Sequence, residues 1–181
     1  MKITRTSIPD VLIFEPIIHN DNRGYFMETF RQSLFDSYGL DISFVQDNQS
    51  LSKKGTLRGL HYQLKYPQGK LVRVLKGEIF DVAVDLRKGS SYFGRWVGEI
   101  LSAENRKQLW IPPGFAHGFL VLSKTAELSY KCTDYFHPED DHSLLWSDPN
   151  IAIHWPSIDE GVLVSEKDCA GKLLSEAPVF E

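Results

Sequence analysis

Apolar and polar residues alternate along much of the chain. In Glu78-Ile79-Phe80-Asp81-Val82-Ala83-Val84-Asp85-Leu86, the residues Phe80, Val82, Val84 and Leu86 share one parity, while Asp81 and Asp85 share the other. Successive side chains of a strand point to opposite faces, so this pattern predicts a half-buried β-strand with both aspartates on its wet side. Comparable strands are predicted at Lys70–Leu75, Trp96–Leu101, Gln108–Ile111, Phe119–Leu122 and Leu128–Tyr135. Turn signals bracket them, at Asn22-Arg23-Gly24, Lys54-Gly55, Pro67-Gln68-Gly69, Lys76-Gly77, Lys88-Gly89-Ser90 and Pro112-Pro113-Gly114. Helix signals are few. One short helix is predicted from Gln32 to Tyr38, stopped by Gly39, and a second begins at Ser165. Strands and helices do not alternate as βαβ units, so the expected fold is mainly β: a cupin-type antiparallel jelly-roll barrel with a few short helices. No linker, repeat or low-complexity tract divides residues 1–181, which read as a single domain. The polar stretch His137–His142 reads as an exposed loop.

Composition adds exclusions. With 42% hydrophobic and 24% charged residues the chain can bury a substantial core, and a formal net charge of -4 gives no general attraction for nucleic acid. No apolar run approaches the ~20 residues of a membrane span, and the first residues match neither a signal peptide nor a transit peptide. A cytoplasmic location is expected. Cys132 and Cys169 are the only cysteines and form no CxxC pair, so neither a zinc site nor a disulfide framework is indicated.

Candidate chemistry concentrates in Leu57-Arg58-Gly59-Leu60-His61-Tyr62-Gln63 and Pro67-Gln68-Gly69-Lys70-Leu71-Val72-Arg73, where basic groups fall among strand-like apolar residues. Lys70 shares a face with Val72 and Val74, so it either faces a cavity or reaches solvent from a strand end; lysine's habits favour solvent. His61 is by itself either a structural histidine or a catalyst. His117 lies just after Pro112-Pro113-Gly114, a rigid turn that is expected to aim it back from a loop. Tyr130 shares a face with Leu128 and Cys132, and its inward hydroxyl serves either packing or proton donation. Ser165-Glu166-Lys167-Asp168 fits a helix-capping pattern, which by itself accounts for Asp168. Arg23 and Glu28 adjoin the aromatic pair Tyr25-Phe26, and an arginine fork beside aromatics suits the phosphates and base of a nucleotide. No glycine-rich phosphate loop is present to do that work instead.

The order of these segments resembles the dTDP-4-dehydrorhamnose 3,5-epimerase family across nearly the whole chain. The resemblance rests on Gln46-Asp47-Asn48, Leu57-Arg58-Gly59-Leu60-His61, Gln68-Gly69-Lys70-Leu71-Val72-Arg73, Gly77 to Asp85, Leu109-Trp110-Ile111-Pro112, Gly114-Phe115-Ala116-His117-Gly118-Phe119 and Tyr130-Lys131-Cys132-Thr133. It implies a cupin-type barrel, a homodimer, and a dTDP-4-keto-6-deoxyhexose substrate in the route to dTDP-L-rhamnose. It implies His61 as general base, Asp168 as its orienting partner, Tyr130 as the acid on the opposite face and Lys70 as the cation at the keto oxygen. Arg23, Glu28, Gln46, Asn48, Arg58, His117, Asp141 and Lys167 are implied as substrate contacts, with Phe136 stacking near the thymine where many relatives carry tyrosine. Asp140-Asp141-His142 departs from the glutamate and following glycine that relatives usually show there.

No metal and no cofactor are expected. Metal-binding cupins want His-x-His with a nearby carboxylate, whereas this chain reads His61-Tyr62-Gln63 and then places Lys70 close by, a cation that opposes metal binding. Three alternatives stand beside double epimerisation: inversion of carbon 3 alone, a metal-dependent cupin enzyme, which the missing ligands disfavour, and a non-catalytic sugar-binding barrel, against which the joint presence of His61, Tyr130 and Asp168 argues.

Overall fold

The structure is a computed structural model that describes all 181 residues. In chain order the first elements are β1 (Lys2–Arg5), β2 (Leu12–Glu15), β3 (Ile18–Asp21), β4 (Gly24–Met27), α1 (Gln32–Ser37), β5 (Gln46–Lys53), β6 (Thr56–Gln63) and β7 (Lys70–Lys76). There follow β8 (Glu78–Asp85), β9 (Trp96–Ser102), β10 (Gln108–Ile111), β11 (Phe115–Val121), β12 (Thr125–Cys132), β13 (Asp141–Ser143), β14 (Leu163–Val164) and α2 (Glu166–Cys169). One sheet runs β1-β2-β10-β7-β12-β5; a second runs β13-β6-β11-β8-β9, with β14 added to β6; β3 and β4 form a separate hairpin. All ladders are antiparallel except that of β14 with β6. This is the mainly β barrel that the alternation implied.

Three apolar clusters hold the sheets in place. Between them, Val72, Val74, Leu109 and Leu128 of the first sheet meet Ile79, Val97, Leu101, Phe115 and Phe119 of the second. The outer face of the second sheet, with Leu60, Val82, Val84 and Leu86, is covered by Ile151, Trp155 and Phe180 from the C-terminal segment. The outer face of the first sheet is covered by Phe35 of α1, which stacks on Phe14 at 4.6 Å and packs edge-on against Trp110. Each such side chain removed from water contributes roughly 1.5–3 kcal/mol.

Cover on both outer faces corrects several expectations. β8 is not half-buried: Asp81 and Asp85 are both wholly buried, because their side of the strand faces the interior of the barrel while Phe80, Val82 and Val84 face the C-terminal cover. β11 begins at Phe115 rather than Phe119, so His117 stands within a strand buried along its length and not on a loop. β12 covers Thr125–Cys132 rather than extending to Tyr135; its partner β7 begins at Lys70, the register partner of Cys132. The stretch His137–His142 is partly ordered, with a 3₁₀ turn at Pro138–Asp140 running into β13. Asp140 is buried there and accepts the N–H groups of Lys65 and Tyr66.

Candidate active site

β6 and β11 approach closely at two glycines. A Cβ on Gly59 would lie 2.5 Å from the Gly118 Cα, and one on Gly118 would lie 2.7 Å from the Arg58 carbonyl oxygen. The ladder shifts register between His117 and Phe119. Arg58 and His61, which a regular strand would send to opposite faces, therefore both reach the barrel interior: Arg58 donates to Ser52 on β5 at 3.0 Å, and His61 borders the central cavity.

Asp168 arrives from the far end of the chain on α2. Ser165 is the N-cap, its hydroxyl accepting the Asp168 N–H at 3.1 Å. In a capping box the carboxylate would turn back to the Ser165 backbone. Here it turns to His61 instead, 2.5 Å from Nε2, with the Gly59 N–H at 3.5 Å. Capping and pairing with histidine therefore coexist in one residue. Burial pushes the Asp168 carboxyl up, but hydrogen bonds from His61, Ser165 and Gly59 outweigh it and hold the group below the usual carboxylate range.

Tyr130 and Lys70 approach from the opposite sheet. Lys70 opens β7 opposite Cys132 of β12 and is 8% exposed, so it takes the cavity-facing alternative and not the solvated one. Burial lowers its ammonium from the ordinary amine range, against the pull of Cys132 and Asp141. Burial likewise raises the Tyr130 phenol, which stays protonated at neutral pH.

His61, Lys70 and Tyr130 share a cavity of about 290 Å³ with Gln46, Asn48, Phe136 and Asp141. Gln46 accepts the Phe136 N–H and donates to Asn48, which sets the edge of this cavity. On the other side of His61 a second depression, about 480 Å³, is lined by Arg58, Lys167 and Asp168. An ion pair of Lys167 with Asp141 stands between the two. Tyr62, Gln63 and Gln68 also border the first cavity and were not singled out from sequence. Gln63 shares parity with His61 on β6, a signal that could have found it; its amide donates to the Tyr66 and Tyr135 carbonyls while its oxygen accepts the His137 N–H.

Not every expected residue is brought together. Arg23 and Glu28 belong to the β3–β4 hairpin region, paired with Asp21 and Arg31, and Arg23 is 84% exposed. His117 lines neither cavity; its ring is paired with Asp81 and its side chain is 10% exposed. No group of three or more His, Cys, Asp or Glu side chains is placed to hold a metal ion.

A protein-family model described as dTDP-4-dehydrorhamnose 3,5-epimerase matches residues 5–176. The chain belongs to that family. A dTDP-4-dehydrorhamnose 3,5-epimerase of Pseudomonas aeruginosa is 55% identical over 181 residues, covering 99% of each chain. A crystal structure of the dTDP-6-deoxy-D-glucose-3,5-epimerase of Legionella pneumophila, in complex with dTDP-4-keto-L-rhamnose, superposes with a TM-score of 0.95 at 54% identity, covering 98% of this chain and 94% of that one. The chain is also similar to a 3'-monoepimerase of Streptomyces bikiniensis, whose structure in complex with dTDP-quinovose superposes with a TM-score of 0.88 at 35% identity, covering 94% of this chain and 87% of that one.

Proposed function

We propose that the chain inverts carbons 3 and 5 of dTDP-4-dehydro-6-deoxy-D-glucose, giving dTDP-4-dehydro-L-rhamnose for dTDP-L-rhamnose biosynthesis. The observation that carries this reading is one cavity bordered by a histidine with a carboxylate behind it, a half-buried phenol and a buried amine. A proton on carbon 3 or 5 is acidic because the 4-keto group lets the charge settle on oxygen as an enolate. His61 removes it, and the ionised Asp168 supports the imidazolium that forms. Lys70 lies where the enolate oxygen would develop charge, a placement typically worth a few kcal/mol. Tyr130, on the other sheet, returns a proton to the opposite face of the carbon, and the configuration inverts. The keto group survives, so the chemistry needs no redox cofactor. Phe136, Gln46 and Asn48 hold the thymidine end, while Arg58, His117, Lys167 and Asp141 contact the rest of the substrate.

The same reading includes a homodimer built from the single domain 1–181. β3 and β4 form a two-stranded sheet, a unit that is marginal alone, and they leave Tyr25 55% and Phe26 71% exposed. β5, which carries Gln46 and Asn48 to the cavity, is the terminal strand of its sheet and has an unpaired edge. A second copy's hairpin laid along that edge would supply the partner's Arg23 and the partner's Glu28 to the site. Mixing the inactive variants H61A and R23A tests this, because one site of the mixed dimer is then intact. Activity that returns on mixing supports the exchange; none returning removes Arg23 from the site. A cytoplasmic setting accords with two unpaired cysteines, one of them exposed.

The similarity to a 3'-monoepimerase gives a second reading, inversion of carbon 3 alone. Proton NMR of the product formed from dTDP-4-dehydro-6-deoxy-D-glucose separates the two: the L-rhamno configuration supports double inversion, and a product inverted at carbon 3 only replaces it.

A further inference from the structure

Asp168 reaches His61 from a segment that is fastened to the barrel on both sides of α2. Ahead of the helix, β14 lies parallel to the start of β6, with Leu163 opposite Thr56 and Val164 opposite Leu57. Behind it, the Lys172 N–H donates to the Ser143 carbonyl at 2.9 Å, and the Lys172 carbonyl accepts the Leu145 N–H at 2.8 Å, forming a parallel bridge at Leu144. Ser143 is itself the register partner of His61. The two fastenings thus flank the stretch of β6 that carries Gly59 and His61, both of which meet the Asp168 carboxylate. Residues 163–172 form a bracket, and Asp168 is the one buried residue of the helix within it.

The rear fastening depends on Gly171. A Cβ there would lie 2.6 Å from the carbonyl carbon and the oxygen of Leu144 and 2.7 Å from the Leu145 nitrogen, all backbone atoms that no change of rotamer can clear. Something must shift, and the surroundings decide what. Leu144 is wholly buried with Leu60, Val82 and Val84 behind the second sheet, and its N–H is bonded to the Leu60 carbonyl at 2.9 Å. Further along the chain, the Leu174 N–H is held by the buried Asp148 carboxylate at 2.6 Å. By contrast α2 is a single turn in which Glu166, Lys167 and Cys169 are exposed, so α2 is the element that yields. A retreat of about 1 Å would restore ordinary contact, and a misplacement of about that size can cost about 10²-fold in rate.

We propose that Gly171 is a positioning residue for the epimerisation: having no side chain, it lets the chain behind α2 close on Leu144, and that closure sets the distance from Asp168 to His61. This deepens the reading of His61 as general base and rests on it. The test compares wild type, G171A, D168N and the double variant in steady-state kinetics on dTDP-4-dehydro-6-deoxy-D-glucose, with proton NMR of the hydrogen bond between His61 Nε2 and Asp168. G171A should lower kcat by roughly 10–10²-fold. It should also move the downfield resonance of the proton in that hydrogen bond upfield, a resonance that D168N lacks. In the D168N background, adding G171A should change kcat by less than about twofold, because the carboxylate it would misplace is already gone. A glycine that serves folding alone would cost the same factor in both backgrounds. Equal losses in both, or G171A with kcat and resonance unaltered, overturn the proposal. If G171A does not fold, hydrogen exchange at the Lys172 amide of wild type decides. Protection matching that of the Leu144 amide supports a closed fastening, and exchange at the rate of an open loop overturns it. D168N with wild-type kcat overturns the reading of the His61–Asp168 pair itself, a result distinct from the failure of Gly171.

Discussion

Two of the histidine–aspartate pairs, those of His61 and His117, stand on the neighbouring strands β6 and β11, and they differ in almost everything but composition. His61 pairs with Asp168, which comes from a helix 107 residues away in sequence, and the His61 side chain keeps 35% of its surface open at the cavity. His117 pairs with Asp81 from the adjoining strand, and its side chain is 10% exposed. The carboxylates respond in opposite directions. Hydrogen bonds to His61, Ser165 and Gly59 outweigh burial at Asp168 and lower it, whereas at Asp81 burial outweighs the pairing and raises it. An ionised carboxylate behind an accessible ring makes a base. A desolvated carboxylate behind an enclosed ring makes a pair shut away from the cavity. Chemical identity alone does not separate these roles; solvent access and the count of donors to the carboxylate do.

The sharpest way to break this distinction is to exchange the losses. H61N should lower kcat by about 10³-fold or more while leaving dTDP affinity near wild type, as expected for a general base. K70M should follow with a loss of about 10²–10³, because one donor to the enolate oxygen disappears. Y130F should lose roughly 10²-fold in inversion yet continue to exchange substrate protons with solvent, since His61 still removes and returns them on its own face. Kinetics paired with proton washout would check this, and a Y130F enzyme that neither inverts nor exchanges would show that the phenol is not confined to the second step.

The smallest effect is thermodynamic and opposite in sign at the two carboxylates. Asp168 titrates lower in the folded chain than in the unfolded one, so its contribution is present above the unfolded value and is lost as pH falls through the folded value. D168N should therefore be roughly 1 kcal/mol less stable than wild type at neutral pH, with the gap closing in acid. Asp81 titrates higher in the folded chain, so wild type loses stability as pH rises through that raised value, and the difference should shift toward D81N. Denaturant unfolding at several pH values measures both. Parallel trends would erase the contrast between the pairs.

How much of this was legible in the sequence depends on which face a residue's surroundings leave wet. β10 was read at its exact bounds, α1 to within one residue, and Ser165 as a helix start, because these rest on local patterns. His61, Lys70, Tyr130, Gln46, Asn48, Phe136 and Asp141 meet at one cavity, and Arg58, Lys167 and Asp168 line the adjoining depression. Asp81 was assigned to the solvent side because alternation presumes one wet face, and β8 has none. His117 was assigned to a loop because Pro112-Pro113-Gly114 announces a turn without saying where it ends. Residue habits alone favour solvent for Lys70 and mislead, since only the opposing strands decide how much water reaches a strand end. Arg23 and Glu28 are separated from the cavity within one chain, a separation that no local pattern encodes.

The most direct measurement of the central claim is turnover of dTDP-4-dehydro-6-deoxy-D-glucose in heavy water by metal-stripped protein, with deuterium counted at carbons 3 and 5 and H61N as control. The account predicts label at both carbons with wild type and at neither with H61N. Absence of label with wild type, or undiminished labelling with H61N, would contradict it.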